Sequence, residues 1–412
     1  MRSTPLSQLR IMSDKQVELL APAGDMERLR MALHYGADAV YLAGKRFGMR
    51  ASAGNFSMEE LAEACEMAHG KGAAVHLTCN TLPREDELKA LPDFLREAEN
   101  AGVDAFIIAD LGVMKAAEKY APDVQRHVST QLGVINSATA RVLYDMGASR
   151  VVLARETPMR DIYEIRANTP KELEIEAFVH GAMCVSFSGR CLLSNYLTGR
   201  DANRGACAQP CRWKYHLVEE KRPGEYFEIS EDNGTNIMNS RDMCMIEHIP
   251  ELIDAGVTSF KIEGRMKSAY YAAAVTNAYR HAIDYAQKGE ALPQVWIDEL
   301  NKVSHRPYCT GFYYGDPGQH FAEASYFSDA YVCAVVESCA EDGLAELTQR
   351  NRFCIGDTVE LLTNEGEPIP FTVTELWDEN GEAIAATPHA MMKFKMRLPV
   401  KCSALSILRR IK

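Results

Sequence analysis

The sequence lacks long apolar segments. Its first residues, MRSTPLSQLRIMSDKQ, contain no apolar core of a signal peptide, and no stretch approaches the length of a membrane-spanning helix. We therefore expect a cytosolic protein without membrane contact, whose thiols stay reduced. The twelve cysteines are then not expected to form the disulfide framework of a secreted protein.

Several catalytic motifs are missing as well. The sequence has no His-Glu-x-x-His helix of a zinc protease and no Gly-x-Ser-x-Gly turn of a serine hydrolase. No Gly-x-Gly-x-x-Gly follows the first predicted strand, where a dinucleotide-binding fold places it. The cysteines are therefore the most informative chemical groups in the chain.

Basic residues are in deficit, since 45 Lys and Arg stand against 57 Asp and Glu, a net charge of -12. An acidic surface repels a phosphate backbone, so indiscriminate nucleic-acid binding is not expected. Two segments reverse the sign: residues 184–214 hold five bases and one acid, and residues 391–412 hold seven bases and no acid. In the second segment Lys393, Lys395 and Arg397 alternate with apolar residues, which predicts that they project from one face of a strand. Both segments are candidates for RNA contact.

Five cysteines occur within about sixty residues of a Gly- and Arg-rich part of the chain. Six residues separate Cys184 from Cys191, three separate Cys207 from Cys211, and Cys244 follows downstream. Structural zinc sites favour Cys-x2-Cys pairs, whereas uneven spacings suit an iron–sulfur cluster. A zinc site and a group of buried thiols without metal are the alternatives.

The first part of the chain repeats one pattern, a helix that closes on a small turn residue followed by a short apolar strand. Strands that alternate with helices predict parallel βα units, and eight of them predict a closed, TIM-like (β/α)8 barrel. An open doubly wound sheet is the alternative. The strands are predicted near residues 17–24, 39–44, 74–80, 105–110, 125–131, 149–156, 173–181 and 258–265.

Beyond the barrel the pattern changes to period two, with Gly-containing turns, which predicts a small C-terminal β-barrel. A hairpin with a Pro-Gly turn is predicted between about residues 215 and 240. The predicted organisation is an N-terminal arm (1–16), the barrel (17–290) with a cysteine-rich segment and hairpin inserted at 182–245, a connector (291–330) and the C-terminal domain (331–412).

Polar side chains are concentrated at the predicted carboxyl ends of the barrel strands, where catalytic groups of such barrels lie. For each of them a helix cap or a structural hydrogen bond is the alternative. The candidates are Arg155, Glu156, Glu176, His180, Lys261 and Arg265.

The run EAFVHGAMCVSFSGRCLLS, which begins at Glu176, resembles the signature of peptidase family U32, a collagenase-like family of unassigned mechanism. The segments LLAPAGD, NRGACAQPCRWKY, FKIEGRMKS and SHRPYCTGFYYG are similar to that family too, so the resemblance covers nearly the whole chain. Its members include tRNA uridine hydroxylases that use prephenate, an rRNA cytidine hydroxylase and quinone-ring hydroxylases that work without dioxygen, all with cysteine-bound 4Fe-4S clusters. The length and domain plan are most similar to the tRNA hydroxylases.

The resemblance implies a 4Fe-4S cluster on Cys184, Cys191, Cys207 and Cys244, with Cys211 as the alternative to Cys207. It also implies hydroxylation of the wobble uridine of tRNA to 5-hydroxyuridine, with prephenate as the hydroxyl donor. A paralogue of the same family is a candidate partner subunit.

Roles follow for the polar candidates if this function is right. Prephenate carries two carboxylates, which Arg155, Lys261 and Arg265 are expected to bind. Proton transfer is expected from Glu156, Glu176 or His180. The residues expected to hold the tRNA are Arg200, Arg204, Arg212, Lys393, Lys395 and Arg397.

Three alternatives stay open at this point. The first is a collagenase-like peptidase with Cys184 as nucleophile and His180 as base. The second is another oxygen-independent hydroxylase of the family, acting on rRNA or a quinone ring. The third is a binding adaptor that holds a structural zinc ion.

Overall fold

A computed structural model describes most of the chain. The predicted N-terminal arm and the Pro-Gly turn of the predicted hairpin lie outside the described residues. Within the described residues, no helix is both long enough and apolar enough to cross a membrane. The described ranges are 17–49, 54–184, 186–213, 217–218, 226–227, 240–318 and 326–412.

Eight parallel strands close into a barrel. In chain order the strands of this part are β1 (Glu18–Pro22), β2 (Ala39–Leu42), β3 (Ala74–Cys79), β4 (Ala105–Ile108), β5 (Gln125–Val128), β6 (Arg150–Val152), β7 (Glu174–Ala182), β8 (Leu217–Val218), β9 (Tyr226–Phe227), β10 (Asp242–Cys244), β11 (Ser259–Ile262) and β12 (Tyr308–Cys309). Strands β1 to β7 pair in order, and β11 closes the ring by pairing with both β7 and β1. The TIM-like barrel and the positions of its eight strands are confirmed.

Helices cover the outside of the barrel and pack their apolar faces against the strands. Several of them end where a glycine adopts positive φ, as at Gly36 (96°), Gly102 (93°), Gly147 (97°) and Gly256 (81°). Only glycine enters this left-handed region without strain, so these residues stop each helix and turn the chain into the next strand. The helices are α1 (Met26–His34), α2 (Met58–Gly70), α3 (Glu85–Leu88), α4 (Leu91–Asn100), α5 (Leu111–Tyr120), α6 (Ser137–Asp145), α7 (Met159–Ala167), α8 (Leu193–Thr198), α9 (Ile249–Asp254), α10 (Ala269–Lys288) and α11 (Gln294–Glu299).

The segment between β7 and β11 decorates the mouth of the barrel. It contains α8, the two-residue strands β8 and β9 of the predicted hairpin, and β10. Strand β10 runs antiparallel to β7, and β12 pairs parallel with β10. Sequence analysis missed β10 and β12, because strands of two or three residues carry no measurable periodicity.

The C-terminal part forms a curved antiparallel sheet of half-barrel form around its own apolar core. Its sheet order is β16-β15-β19-β13-β14-β18-β17, and the end strands β16 and β17 do not pair with each other in the described part of the chain. The predicted period-two pattern is therefore confirmed. The strands are β13 (Ala330–Cys339), β14 (Leu344–Gln349), β15 (Thr358–Leu362), β16 (Ile369–Thr372), β17 (Trp377–Asp378), β18 (Lys393–Arg397) and β19 (Ile407–Ile411).

A buried ion cluster joins this sheet to the barrel. Arg409 is fully buried and donates to both oxygens of Glu299, at 2.6 and 2.7 Å, and to Glu360 at 2.8 Å. Its guanidinium also lies 3.1 Å from the hydroxyl of Tyr270 on α10. The two parts of the chain are therefore held in one orientation by a charged contact as well as by apolar packing.

We expect Arg409→Met to lower the free energy of unfolding by about 3 kcal/mol, at the lower end of the cost of breaking a buried ion pair, because Lys302 still pairs with Glu299 and Glu360. The neighbouring Arg410→Ala is the control, since Arg410 is 41% exposed and its pair with Asp357 contributes about 1 kcal/mol or less. Urea unfolding of both variants measures the difference. Equal losses in the two variants would contradict the structural role assigned to Arg409.

Candidate functional site

A cavity of about 140 Å³ opens at the carboxyl ends of the barrel strands. Side chains from several strand ends line it, and the cysteine-rich segment lies over it. The sequence-predicted residues that line this cavity are Arg155, Lys261, Arg265, Cys184, Cys191, Cys207 and Cys211. The structure thus gathers the predicted carboxylate-binding residues and four of the five predicted cluster ligands in one place.

The charged groups of the lining favour an anion. Arg155 and Glu263 form an ion pair at 3.2 Å, and the Arg155 guanidinium lies 4.0 Å from the ring centre of Phe178. Lys261 and Arg265 are buried and also face the cavity. The described lining contains three cations and one carboxylate, and Lys261 also pairs with Glu176 below the lining. Cations outnumber carboxylates in the lining itself, which favours an anionic ligand.

Glu176 holds Lys261 in place from below. Its carboxylate is fully buried and accepts from Lys261 Nζ at 2.7 Å and from Arg150 at 3.1 Å. Burial would raise the pKa of Glu176, but Lys261 and Arg150 outweigh burial and hold that pKa below its ordinary value. Glu176 is not among the cavity-lining residues, so the structure gives it a positioning role and not the predicted proton-transfer role.

Sequence analysis missed the ion network that fills the barrel below the cavity. Arg150 also donates to Glu18 and Glu174, at 3.1 and 2.7 Å. Burial would raise the pKa of Glu18, but the charge and the hydrogen bonds of Arg150 outweigh burial and lower it to about 2. A signal for this network was available in the sequence, because charged residues occupy inward-facing positions on successive strands. Apolar side chains normally fill those positions in such a barrel.

His76 and His127 lie in the same interior. Among the described residues, these two and Glu176 form the one group of three metal-ligating side chains whose ligand atoms all lie within 4.8 Å of one another. Burial lowers the pKa of both histidines and keeps them neutral. Because Lys261 and Arg150 already neutralise Glu176, this group is part of the ion network.

His180 points away from the cavity, contrary to its predicted catalytic role. The register between β7 and β11 shifts after Lys261, so that His180 pairs with Ile262, a residue of the helix-side core. Such a bulge reverses the direction of the side chains that follow it. His180 Nδ1 lies 3.3 Å from the Tyr279 hydroxyl, and burial lowers the pKa of His180 to about 3. It is a neutral residue packed among the tyrosines of α10 and does not face Cys184 across the cavity.

Glu156 fixes the turn between the first two cavity cysteines. Its carboxylate accepts from the Ser188 backbone N–H at 2.8 Å and from the Ser188 hydroxyl at 3.0 Å. Ser188 has a φ of 48°, a left-handed conformation that a non-glycine residue adopts only when its surroundings hold it there. Both carboxylate oxygens are engaged, so Glu156 is a positioning residue here and not the predicted proton-transfer group.

Hydrogen bonds order the backbone around the cavity cysteines and reach two of their sulfur atoms. Asn203 binds Cys191 twice, accepting from its N–H and donating to its carbonyl, each at 3.2 Å. The N–H of Leu193 lies 3.3 Å from Cys191 Sγ, and the N–H of Gln209 lies 3.4 Å from Cys207 Sγ. Donors aimed at sulfur stabilise a thiolate, which is the form that binds metal.

Cys211 belongs to the cavity group and Cys244 does not line the cavity. Burial raises the pKa of Cys211, Arg212 lowers it, and the other three cavity thiols raise it, which places all four within electrostatic reach. The Cys244 thiol instead lies 3.9 Å from the Tyr279 hydroxyl, and burial raises its pKa to about 11. The resemblance implied Cys244 as a ligand and offered Cys211 only in place of Cys207, whereas the cavity groups Cys211 with Cys184, Cys191 and Cys207 and leaves Cys244 outside its lining. Which four thiols bind a cluster stays a prediction.

The sulfur positions bear on which metal the thiols could hold. Four thiolates around one zinc ion lie about 3.8 Å apart, given Zn–S bonds of about 2.3 Å. No three of the described cysteines bring their sulfur atoms within 4.8 Å of one another. A set of four thiols is used by 4Fe-4S clusters as well as by structural zinc sites.

The arginines of the cysteine-rich segment are divided between internal contacts and solvent. Arg204 pairs with Glu87 at 2.7 Å, and Arg212 donates to the Tyr326 hydroxyl at 2.7 Å. Arg200 is exposed, with its Nε on the carbonyl of Ala206. The segment therefore carries positive charge beside the cavity mouth, with Arg204 partly neutralised.

The predicted basic face of the C-terminal domain is present, but acids lie on it. Lys393, Lys395 and Arg397 project to the same side of β18, between buried Phe394 and Met396. Strand β14 and its turn place carboxylates next to them, since Lys395 pairs with Glu346 at 3.2 Å and Arg397 with Asp342 at 2.9 Å. These ion pairs weaken the electrostatic case for RNA contact at this strand.

Two family models match the chain. Residues 24–323 match the model described as peptidase family U32, and residues 329–409 match the model described as the peptidase family U32 C-terminal domain. Together these matches span both parts of the fold.

Three curated relatives show how far the similarity extends. A Bacillus subtilis protein named tRNA hydroxylation protein P1 is 38% identical over 403 residues, which cover 96% of this chain and 95% of the relative. A Methanocaldococcus jannaschii protein named as an uncharacterized protease is 43% identical, over 84% of this chain and 86% of the relative. The 23S rRNA 5-hydroxycytidine C2501 synthase of Escherichia coli is 39% identical, over 66% of this chain and 40% of its own length.

The charge network predicts how stability depends on pH. The pKa of Glu18 is about 2 in the folded protein against an ordinary 4.5, so its contribution is present above pH 4.5 and is lost as the pH falls towards 2. The contribution is roughly 3 kcal/mol, and the lowered pKa of Glu176 adds in the same direction. Unfolding free energies measured from pH 6 down to pH 2 should fall accordingly. A curve whose slope is the same in Glu18→Gln would contradict this assignment.

The Glu156 contact predicts a local effect. Glu156→Gln keeps the shape of the side chain but loses the charge, so the turn at Ser188 should open more often. Because a hydrogen bond to a charged group contributes about 1.5–3 kcal/mol, amide exchange at residues 186–191 should rise about tenfold or more. Hydrogen exchange by mass spectrometry measures this, with the exposed Glu164→Gln as the matched control. An unchanged exchange rate would show that Glu156 does not hold the turn.

Proposed function

Because this chain belongs to peptidase family U32, we propose that it is an RNA hydroxylase and that its substrate is tRNA. The relative named as a tRNA hydroxylation protein matches this chain from end to end, whereas the rRNA synthase shares less than half of its own length with it. The observation that carries the proposal is the cavity itself, which combines four thiols with three cations. We propose that the nucleotide it modifies is the wobble uridine, which it converts to 5-hydroxyuridine. An RNA-modifying enzyme of this kind takes the target base out of its stack and into the cavity.

We propose that Cys184, Cys191, Cys207 and Cys211 hold a 4Fe-4S cluster. Glu156 and Asn203 fix the backbone between these ligands, and the amides of Leu193 and Gln209 stabilise two of the sulfurs. A bound cluster would supply one-electron chemistry at the cavity.

The cationic lining supports a dicarboxylate as the hydroxyl donor, and we propose prephenate. Arg155, Lys261 and Arg265 bind its two carboxylates, and Glu176 keeps the Lys261 ammonium oriented towards them. Replacing the C5–H of uridine by C5–OH removes two electrons from the base. A donor that exchanges a hydroxyl group for hydrogen takes up those two electrons, so the exchange is balanced.

Glu263 takes the place of the carboxylates that were expected to transfer protons. It is the acidic residue of the described cavity lining, and its pairing with Arg155 keeps it oriented there. Glu156, Glu176 and His180 are not among the residues that line the cavity. The proton released from the uridine ring would pass to Glu263.

The peptidase alternative has less support in this structure. A cysteine peptidase needs a base next to its nucleophile, and His180 faces Tyr279 on the helix side of β7 instead of Cys184. Among the described residues, His180 and Cys184 therefore do not form such a nucleophile–base pair. Hydrolysis of gelatin is the direct assay for peptidase activity.

The test is analysis of iron and sulfide in protein purified without oxygen, in the wild type and in two serine variants. Wild type should contain about four iron and four sulfide per chain. Cys211→Ser should lose most of both, because its sulfur lies in the cavity group, and the matched Cys244→Ser should retain them. Nucleoside mass spectrometry of tRNA incubated with the protein, prephenate and a reductant then measures 5-hydroxyuridine.

Three results would contradict the proposal. Stoichiometric zinc in the anaerobic protein would favour a structural site in an adaptor. Loss of iron in Cys244→Ser but not in Cys211→Ser would restore the ligand set that the resemblance implied. Iron-replete protein that hydrolyses gelatin but leaves tRNA unmodified would favour the peptidase.

A further inference from the structure

Exposed apolar side chains are concentrated on the cysteine-rich segment. Five of the seventeen large hydrophobic residues that the described chain exposes lie within residues 187–213. Exposed apolar groups scattered singly need no explanation, but a cluster of them marks an interaction surface. The five are Phe187 (52% exposed), Leu192 (58%), Tyr196 (81%), Leu197 (48%) and Trp213 (43%).

These side chains lie beside the cavity lining. Two of them are next in the chain to lining residues, Tyr196 and Leu197 lie on α8, and Trp213 follows the lining residue Cys211 by two positions. Phe187 precedes Ser188, Leu192 lies between Cys191 and Leu193, and Ser188, Cys191 and Leu193 all line the cavity. The ring of Phe187 lies close to Gly133, where an added Cβ would come within 3.2 Å of it. We call this set of five residues the aromatic rim.

The charge around the aromatic rim is positive. Arg190 and Arg200 are exposed beside it, and Arg212 precedes Trp213. The acid of this stretch, Asp201, uses its carboxylate to accept the N–H of Asn203 at 2.9 Å and so caps a turn. Aromatic faces next to guanidinium groups are the pattern that binds unpaired nucleotides, with bases on the rings and phosphates on the arginines.

We propose that the aromatic rim is a stacking platform for the unpaired nucleotides that flank the base in the cavity, with Tyr196 and Trp213 stacking on bases and Arg200 contacting a phosphate. The rim therefore selects a single-stranded loop over a duplex, since paired bases have no free face to offer. This inference rests on the proposed function, because it takes RNA as the substrate.

A protein partner is the competing occupant, because aromatic and arginine side chains also dominate protein interfaces. The observations favour RNA for two reasons. The rim lies beside the cavity in which the target base is proposed to react, so a protein seated on it would obstruct entry to that cavity. The local charge is also positive, although the net charge of the chain is -12. A phosphate backbone binds such a positive patch directly, whereas a second copy of this acidic chain is a less specific partner for it.

The experiment measures binding of a fluorescent RNA hairpin with a seven-nucleotide loop to the full chain, purified without oxygen, at several salt concentrations. Tyr196→Ala should weaken binding about fivefold or more, since base–aromatic stacking is lost, and should leave the salt dependence unchanged. Tyr196→Phe should restore binding because it keeps the ring. Arg200→Ala should instead reduce the slope of log K against log salt by about 0.7.

The matched control is Tyr163→Ala, which removes an exposed tyrosine on α7 outside the rim and should leave hairpin binding unchanged. A duplex of the same sequence as the hairpin should bind more weakly than the hairpin. Iron content and circular dichroism of each variant should match wild type, which separates loss of binding from loss of fold.

The outcomes separate this inference from the proposed function. Wild type that binds no RNA overturns both. Wild type that binds the hairpin while Tyr196→Ala binds it equally well, or wild type that binds the duplex as tightly, overturns the stacking platform alone. Loss of self-association or of a protein complex in Tyr196→Ala, with hairpin binding intact, would assign the rim to a protein partner and overturn the inference.

Discussion

The geometry of the cavity depends on a chain of buried ion pairs inside the barrel. Glu18, Arg150, Glu176 and Lys261 link four strands, and each charge has a partner of opposite sign within hydrogen-bond distance. A charge without a partner would be costly to bury, so the members of the chain fix one another's positions. The last member, Lys261, reaches the cavity floor. Most barrels fill this space with apolar side chains, whereas in this protein it holds a charged network that places a cation at the floor of the cavity.

The second constraint acts on the segment above the cavity. That segment has little apolar core of its own, and its order comes from hydrogen bonds that Glu156 and Asn203 make to the backbone around the cysteines. Its exposed face is left apolar and basic. The two constraints meet at the cavity, where thiols come from above and cations from below. This division explains how a barrel with a common architecture can carry an uncommon combination of groups.

Position relative to the cavity separates the residues that hold the site in place from those that face a ligand. Glu156, Glu176 and His180 are the polar residues that chemistry alone would favour, and each lies outside the cavity lining with a partner of its own. Arg155, Lys261 and Glu263 line the cavity, where ion pairs hold them in place. The same reasoning applies to the C-terminal domain, where Lys395 and Arg397 alternate as a basic face should but are paired with acids from β14.

The sequence by itself determined the barrel, the antiparallel C-terminal sheet and the clustering of the cysteines, because strand periodicity, helix-ending glycines such as Gly102 and cysteine spacing are local properties. Tertiary structure alone decided which thiols meet. Cys244 is brought beside β7 by an antiparallel pairing that no local pattern encodes, and a one-residue register shift turns His180 outward. The partners of Glu156 and Glu176 were equally hidden, since each lies tens of residues away in the chain. Such contacts are set by the packing of distant elements, which pattern within one element does not specify.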